Sequence, residues 1–214
     1  MSEKKKVLLL AVSCKKGGLC PGGIDLDNTS EWIRIVRDDG QAGSVQGSHI
    51  DYAKPLDIIE FYGHPVPRGI QRENWAIDNN SCRKVGTIST DLLNETYEHY
   101  GYHDFWDNTR SFLTQSEMDI LAANSIPSES IMIVSNVVLY NNQYGKSKID
   151  FTWDGRRLEG ISMTDPDFYD ALGAGQILRF ASAMIVVSIP SVADFVFDGC
   201  TAGRAYKFVS KLFV

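Results

Sequence analysis

The residues with the clearest chemical potential lie in Ser13–Gly23, SCKKGGLCPGG. Glycines 17, 18, 22 and 23 permit positive φ and close backbone approach, and successive amides in such turns form anion-binding nests. Lys15 and Lys16 add positive charge for a phosphate. The segment is not a Walker A loop, because the lysines precede the glycines and a strand follows. The bland alternative is a connection between strands whose lysines are merely solvated. Downstream, Trp32 and Arg34 alternate onto one face of a strand, with Arg37 just beyond. An aromatic ring that stacks a base beside a cation that meets a phosphate is the recipe for single-strand binding. The candidate nucleic-acid contacts are therefore Lys15, Lys16, Gly17, Gly18, Trp32, Arg34 and Arg37.

Other groupings are weaker. Cys14 and Cys20, with Cys82 and Cys200, lack the close pairs of a structural zinc site and read as free thiols. His99 and His103 have helical ligand spacing but no zincin glutamate, and Gly101 opposes a helix there. Asp165, Asp167 and Asp170 suggest a metal centre, yet carboxylates at a helix start are explained equally by capping. No Ser-His-Asp or Cys-His constellation can be assembled. The expectation is no catalytic residue, no metal and no cofactor.

These residues must be positioned by strands. Val7–Val12 reads as a buried strand, and Ile24–Leu26 with Trp32–Val36 as a hairpin. Closing it over Asn28–Glu31 sets Leu26 opposite Ile33, Asp25 opposite Arg34 and Ile24 opposite Ile35. Ile24, Leu26, Ile33 and Ile35 then form the core face, leaving Asp25, Asp27, Trp32 and Arg34 outside. Leu56–Tyr62 reads as a further strand, with weak signals at Trp75–Ile77 and Arg83–Ile88. Thr90–Ser125 changes to helical spacing around the aromatic YGYHDFWDNTRSF.

After Pro127, Ile131–Tyr140 is strongly β-branched. Lys148–Trp153 and Arg156–Met163 flank Asp154-Gly155, a type I′ hairpin signal that sets Trp153 opposite Arg156 and Phe151 opposite Leu158. Gly160 predicts a bulge, because the apolar phase switches after it. Thr164-Asp165-Pro166 starts a short helix Asp165–Leu172 with Thr164 as its cap. Ala183–Ile189 and Tyr206–Phe213 are the last strands. Three strands, a short helix and two strands is the order of an OB-fold, a five-stranded Greek-key barrel. The first half fits the same plan. The fold class is mostly β with a helical insert. Residues 1–89 are expected to form one OB-like barrel, 90–126 an insert and 127–214 a second barrel.

The 214 residues suffice for two small cores, and four cysteines do not make a disulfide scaffold. A formal net charge of −6 opposes general DNA coating, so a nucleic-acid role needs a local patch. The apolar run ending at Val12 is too short to span a membrane and lacks a signal-peptide pattern, which predicts a cytoplasmic protein with no membrane partner.

The segments VLLLAVSCKKGGLCPGGIDL, EWIRIV, PLDIIEF, GISMTDPDFYD and YKFVSKLF resemble the bacterial dual OB-containing domain family. That resemblance implies two OB-like barrels in one unit and nucleic-acid binding, in systems that defend against foreign genetic elements. It supplies no catalytic residues. The leading expectation is a non-catalytic module that binds single-stranded nucleic acid or a nucleotide. One alternative is an enzyme acting on nucleic acid or nucleotides, with Asp165 or Asp167 holding a metal. Another is an adaptor that meets a protein partner through Tyr100, Tyr102, Phe105 and Trp106.

Overall fold

The computed structural model describes residues 2–15, 18–28, 31–37, 45, 50, 53–78, 81–93, 108–169, 172–173, 175–190 and 202–214. The first five strands are β1 (Glu3–Lys15), β2 (Gly18–Asp25), β3 (Trp32–Val36), β4 (Asp57–Pro65) and β5 (Asn74–Ile77). Their pairings run in a ring: β1 to β2, β2 to β3, β3 to β5, β5 to β4 and β4 back to β1. Only β3–β5 is parallel. Strand β6 (Arg83–Thr87) lies along β4 outside this ring.

A 3₁₀ turn (Thr90–Leu92), β7 (Phe112–Thr114) and helix α1 (Gln115–Ala123) lead to the second half. There follow β8 (Glu129–Asn141), β9 (Ser147–Trp153), β10 (Arg156–Met163), helix α2 (Pro166–Tyr169), β11 (Ile177–Ser188), β12 (Arg204–Tyr206) and β13 (Phe208–Phe213). Strands β8, β9, β10, β13 and β11 close a barrel, again with one parallel pair, β10–β13. With β12 set aside, both halves follow the order 1-2-3-5-4-1 with strands 3 and 5 parallel. This wiring is that of two OB-like barrels.

The packing explains the unbroken apolar run in β1. Val7, Leu9 and Val12 fill the first barrel, where they meet Ile33, Ile35, Ile59 and Phe61. Leu8, Leu10 and Ala11 face the other way, into a separate cluster with Ile24, Trp32, Ile131, Met184 and Val186. A register shift between Leu9 and Ala11 turns two successive residues to that side. Ile131, Met184 and Val186 belong to β8 and β11, whose alternate residues Met132, Val134, Ile185 and Val187 fill the second barrel. Strand β1 is therefore apolar on both faces because one face lines a barrel and the other seals a seam between barrels.

Several sequence expectations hold. Trp153 faces Arg156 and Phe151 faces Leu158, with the register shift between Leu158 and Ile161. Asp154 and Gly155 have φ of 48° and 70°, as a type I′ turn requires, and Gly160 sits at 66°. Trp75–Ile77, one of the two weak strand signals, is the one that closes the first ring. In the insert, α1 carries a capping box between Thr114 and Glu117, and β7 pairs with β12, tying this segment to the second half. Tyr100, Tyr102, Phe105, Trp106, His99 and His103 lie outside the described residues. Of the expected helix Asp165–Leu172, Pro166–Tyr169 is helical and Asp170 and Ala171 lie outside the described residues. Its cap is Asp165 rather than Thr164, the Asp165 carboxylate accepting from the Asp167 amide at 3.0 Å.

The β2–β3 register differs from the expected one. Ile24 faces Trp32, Gly23 faces Ile33 and Gly22 faces Arg34. The cause is Asp25. It is buried, bound by the Lys5 ammonium at 2.8 Å, and followed by Leu26, whose amide donates to Lys6 O at 2.8 Å. Those bonds hold the end of β2 to β1, so β3 pairs further back along it. An odd-numbered slip exchanges the two faces of a strand relative to its partner. Ile24 thus shares a face with Trp32 and Arg34, not with Ile33 and Ile35.

Two glycine substitutions test this packing. A Cβ at Gly23 would stand 2.0 Å from Leu8 O, whereas one at Gly155 meets nothing within 4 Å. Gly155→Ala should cost only about 1–2 kcal/mol, the penalty of a left-handed residue. Gly23→Ala should cost clearly more in urea denaturation, because β1 and β2 must separate locally.

Candidate nucleic-acid interface

In an OB-fold the face of strands 2 and 3 and the loops joining strands 1–2 and 4–5 bind oligonucleotides. The two barrels use that face differently. In the first barrel it is formed by β2 and β3, and it is closed. Trp32 is 3% exposed and packs in the seam with Ile24, Leu10 and Met184. Arg34 is 9% exposed. Its Nη2 donates to Ser128 Oγ at 2.8 Å and lies 3.5 Å from Oε1 of both Glu73 and Glu129. The Ser128 hydroxyl in turn donates to Glu73, and the Ser128 amide donates to the same oxygen at 3.2 Å.

Each partner is placed by the backbone. Arg34 N donates to Glu73 O at 2.9 Å, fixing the loop between β4 and β5 against β3. Gln71 from the same loop donates to Ile189 O at 3.3 Å, beyond the end of β11. Gly22, opposite Arg34, leaves the space that Glu129 fills: a Cβ there would lie 2.3 Å from Oε2. Burial opposes the guanidinium charge, but the carboxylates of Glu129 and Glu73 outweigh it and hold its pKa above the usual range. Burial pushes the Glu129 carboxyl up to about 7, with Arg34 pulling it down and Glu73 pushing it further up.

The expectation that Trp32 and Arg34 point outward is thus corrected: the second barrel occupies the space a ligand would need. Of the other expected residues, Lys15 and Gly18 face each other at the ends of β1 and β2. Lys16 and Gly17, between them, lie outside the described residues. Arg37 is exposed just after β3. Sequence reasoning missed Glu73, Ser128 and Glu129. The available signal was Gly22-Gly23 inside a strand, a mark of close approach by other atoms.

In the second barrel the equivalent face, β9 and β10, is open. Thr152, Arg157, Arg179, Val138 and Asn136 line a groove of about 550 Å³ on its flank. Arg157 Nη1 donates to Asn136 O at 2.7 Å, and Nη2 is 3.7 Å from Asp150. Across the strand pair, the Tyr140 hydroxyl donates to Asp150 at 3.1 Å. Burial, then the Asp150 carboxylate, pushes the Tyr140 hydroxyl up to about 12, so it stays protonated. Arg179 is exposed and has no ion-pair partner among the described residues. Arg157 and Arg179 were not singled out from sequence. Arginines two residues beyond a turn and near a strand start look like ordinary exposed positions until β8 brings them together.

Of the groups expected as alternatives for metal, Asp165 and Asp167 are engaged elsewhere. Asp165 is buried, bound by Lys211 at 3.1 Å and by the Leu212 amide at 2.9 Å, and Lys211 also meets Asp167. Asp170 and Cys200 lie outside the described residues. Cys20 and Cys82 are half-buried. Among the described residues no three His, Cys, Asp or Glu side chains converge on a metal position, and no helix is long and apolar enough to cross a membrane.

The seam makes a quantitative demand. Arg34→Met leaves two buried carboxylates without their cation and should cost about 3–5 kcal/mol in urea denaturation. Trp32→Ala should cost a similar ~3–5 kcal/mol by opening a cavity. A loss below about 1 kcal/mol for Arg34→Met, typical of exposed pairs, would show that the guanidinium does not neutralise the seam.

Comparisons with curated proteins and with solved structures gave no match. A family model does match, from residue 5 to residue 212, spanning both rings and the segment between them. With two barrels of the same wiring inside that span, this chain belongs to the dual OB-containing domain family.

Proposed function

We propose that this chain is a non-catalytic module that binds single-stranded nucleic acid, with its principal site on the second barrel. The observation that carries the reading is the open groove holding Arg157 and Arg179 beside the strand 2–3 face. The same face of the first barrel is spent on the seam. Arg157 is aimed by its bond to Asn136 O, and Arg179 is presented to solvent, so two phosphates can be met with little reordering. Tyr140 lies on the same outer face as Val138, and its ring offers a stacking surface. At the first barrel, Lys15 ends strand 1 and Gly18 begins strand 2, Lys16 and Gly17 lie between them in sequence, and Arg37 is exposed just after strand 3. These remain the proposed contacts there, without Trp32 and Arg34. A nucleotide would engage the same arginines through its phosphates. A place in defence against foreign genetic elements rests on the family resemblance alone.

The net charge of −6 means that binding depends on these local cations and is sensitive to salt. Anisotropy of labelled single-stranded DNA and RNA pools, measured across a salt series, tests the reading. Each phosphate contact contributes about 0.7 to the log–log slope. Arg157→Ala with Arg179→Ala should therefore flatten the slope by roughly 1.4. Lys15→Ala with Lys16→Ala reports separately on the first-barrel loop. Absence of salt-dependent binding by the unaltered chain to any single-stranded pool would sink the proposal. A normal slope in the double arginine variant would move the site elsewhere.

A further inference from the structure

The seam cluster carries an odd charge. Arg34 supplies one positive charge, while Glu73 and Glu129 supply two negative ones when both are ionised. Both carboxylate side chains are only 4% exposed, and Oε2 of each is buried without a hydrogen-bond partner. The charged or titratable groups near Glu129 are Arg34 from β3, Glu73 from the β4–β5 loop and, acting on Arg34, Cys20 from β2. Gly22 and Ser128 complete the walls and carry no charge. Among the described residues, a full unit of buried negative charge is therefore left unbalanced when both carboxylates are ionised, at the point where β8 is held against β2 and β3.

We propose that the seam between the barrels is a proton-sensitive latch. A proton on Glu129 leaves the cluster neutral and the barrels firmly joined; its loss leaves one uncompensated buried charge and weakens the joint. The direction follows from linkage. Glu129 is harder to ionise in the folded chain than in the unfolded one, so the folded state holds the extra proton. Its contribution is fully present below the ordinary glutamate range, near pH 4.3. It is lost as pH rises to about 7, and flat above. Asp57 and Glu117 are shifted the opposite way, so their contributions vanish only in acid, outside this window.

Thermal unfolding of the full chain from about pH 5 to about pH 9 tests the latch. The folded-to-unfolded ratio of the unaltered protein should drop by up to about tenfold per pH unit between pH 5 and pH 7. Glu129→Gln should remove that drop while leaving any histidine titration in place. Loosening of the seam itself is read at the Trp32 indole N–H, which is buried there without a hydrogen-bond partner. Its exchange protection, relative to amides inside either barrel, should fall as pH rises from about 5 to about 7 in the unaltered protein, level off above, and show no such fall in Glu129→Gln. Parallel pH curves for the two proteins would overturn the proposal. If the glutamine variant does not fold, carbon-13 NMR of the Glu129 carboxyl decides: a midpoint near 7 supports the latch, and one in the ordinary range refutes it.

Discussion

A guanidinium taken out of water needs counter-charge and hydrogen-bond acceptors, because desolvating an ion costs several kcal/mol even after relaxation. Arg34 finds both only where the two barrels meet. The acceptors are three residues from two places in the chain: Glu73 in the first barrel's 4–5 loop, and Ser128 and Glu129 at the entry to the second barrel. Much of the rest follows from accommodating that cluster. Gly22 must lack a side chain so that Glu129 can reach in. Leu8, Leu10, Ile24 and Trp32 surround the charges with apolar surface that meets Ile131, Met184 and Val186. The polar centre fixes the alignment of the barrels, and the apolar surround supplies the burial that holds them there.

The same connectivity serves two purposes in one chain. Both barrels follow the order 1-2-3-5-4-1 with a single parallel pair. In the first, the face of strands 2 and 3 has become a structural joint. In the second, that face is left to solvent, and the bulge in β8 at Asn136 turns a backbone carbonyl toward Arg157. The asymmetry is carried by small differences in side chains. Where the first barrel presents glycine and tryptophan, which favour close packing, the second presents lysine, aspartate, threonine and arginine along β9 and β10. Two barrels of one wiring thus differ in that the first buries this face in a joint and the second leaves it exposed beside a groove.

The insert follows the same economy of contacts. Strand β7 pairs with β12, which lies in the second barrel's 4–5 loop, and Arg204 stacks on Phe112 with its carbon 4.1 Å from the ring centre. The Thr114–Glu117 capping box starts α1 immediately after β7, so the chain turns without leaving the helix's first amides unsatisfied. The insert is therefore bound to the loop of the barrel that follows it, not only to the barrel that precedes it.

Local signals in the sequence marked most of the strands, the Asp154-Gly155 turn with its register, the bulge at Gly160 and the repeated strand order. Each depends on alternation or on φ preferences within a few residues. They did not mark β7, β12 or the first halves of β2 and β11, that of β2 lying in what reads as the loop Ser13–Gly23. The β2–β3 register escaped because it was set by Asp25 binding Lys5 across β1, a contact between residues 20 positions apart. With that slip went the apparent site. Trp32 and Arg34 look the same in sequence whether their face meets water or another barrel, since aromatic and cationic side chains serve both stacking and burial. Only the docking of β8 and β11 on β2 and β3 made them structural. Arg157 and Arg179 are separated by more than a strand in the chain and became neighbours only when β8 joined β9 to β11. Side-chain identity and spacing fixed which elements form; which faces remain open was decided by the barrel–barrel contact, where long-range burial outweighs any local preference.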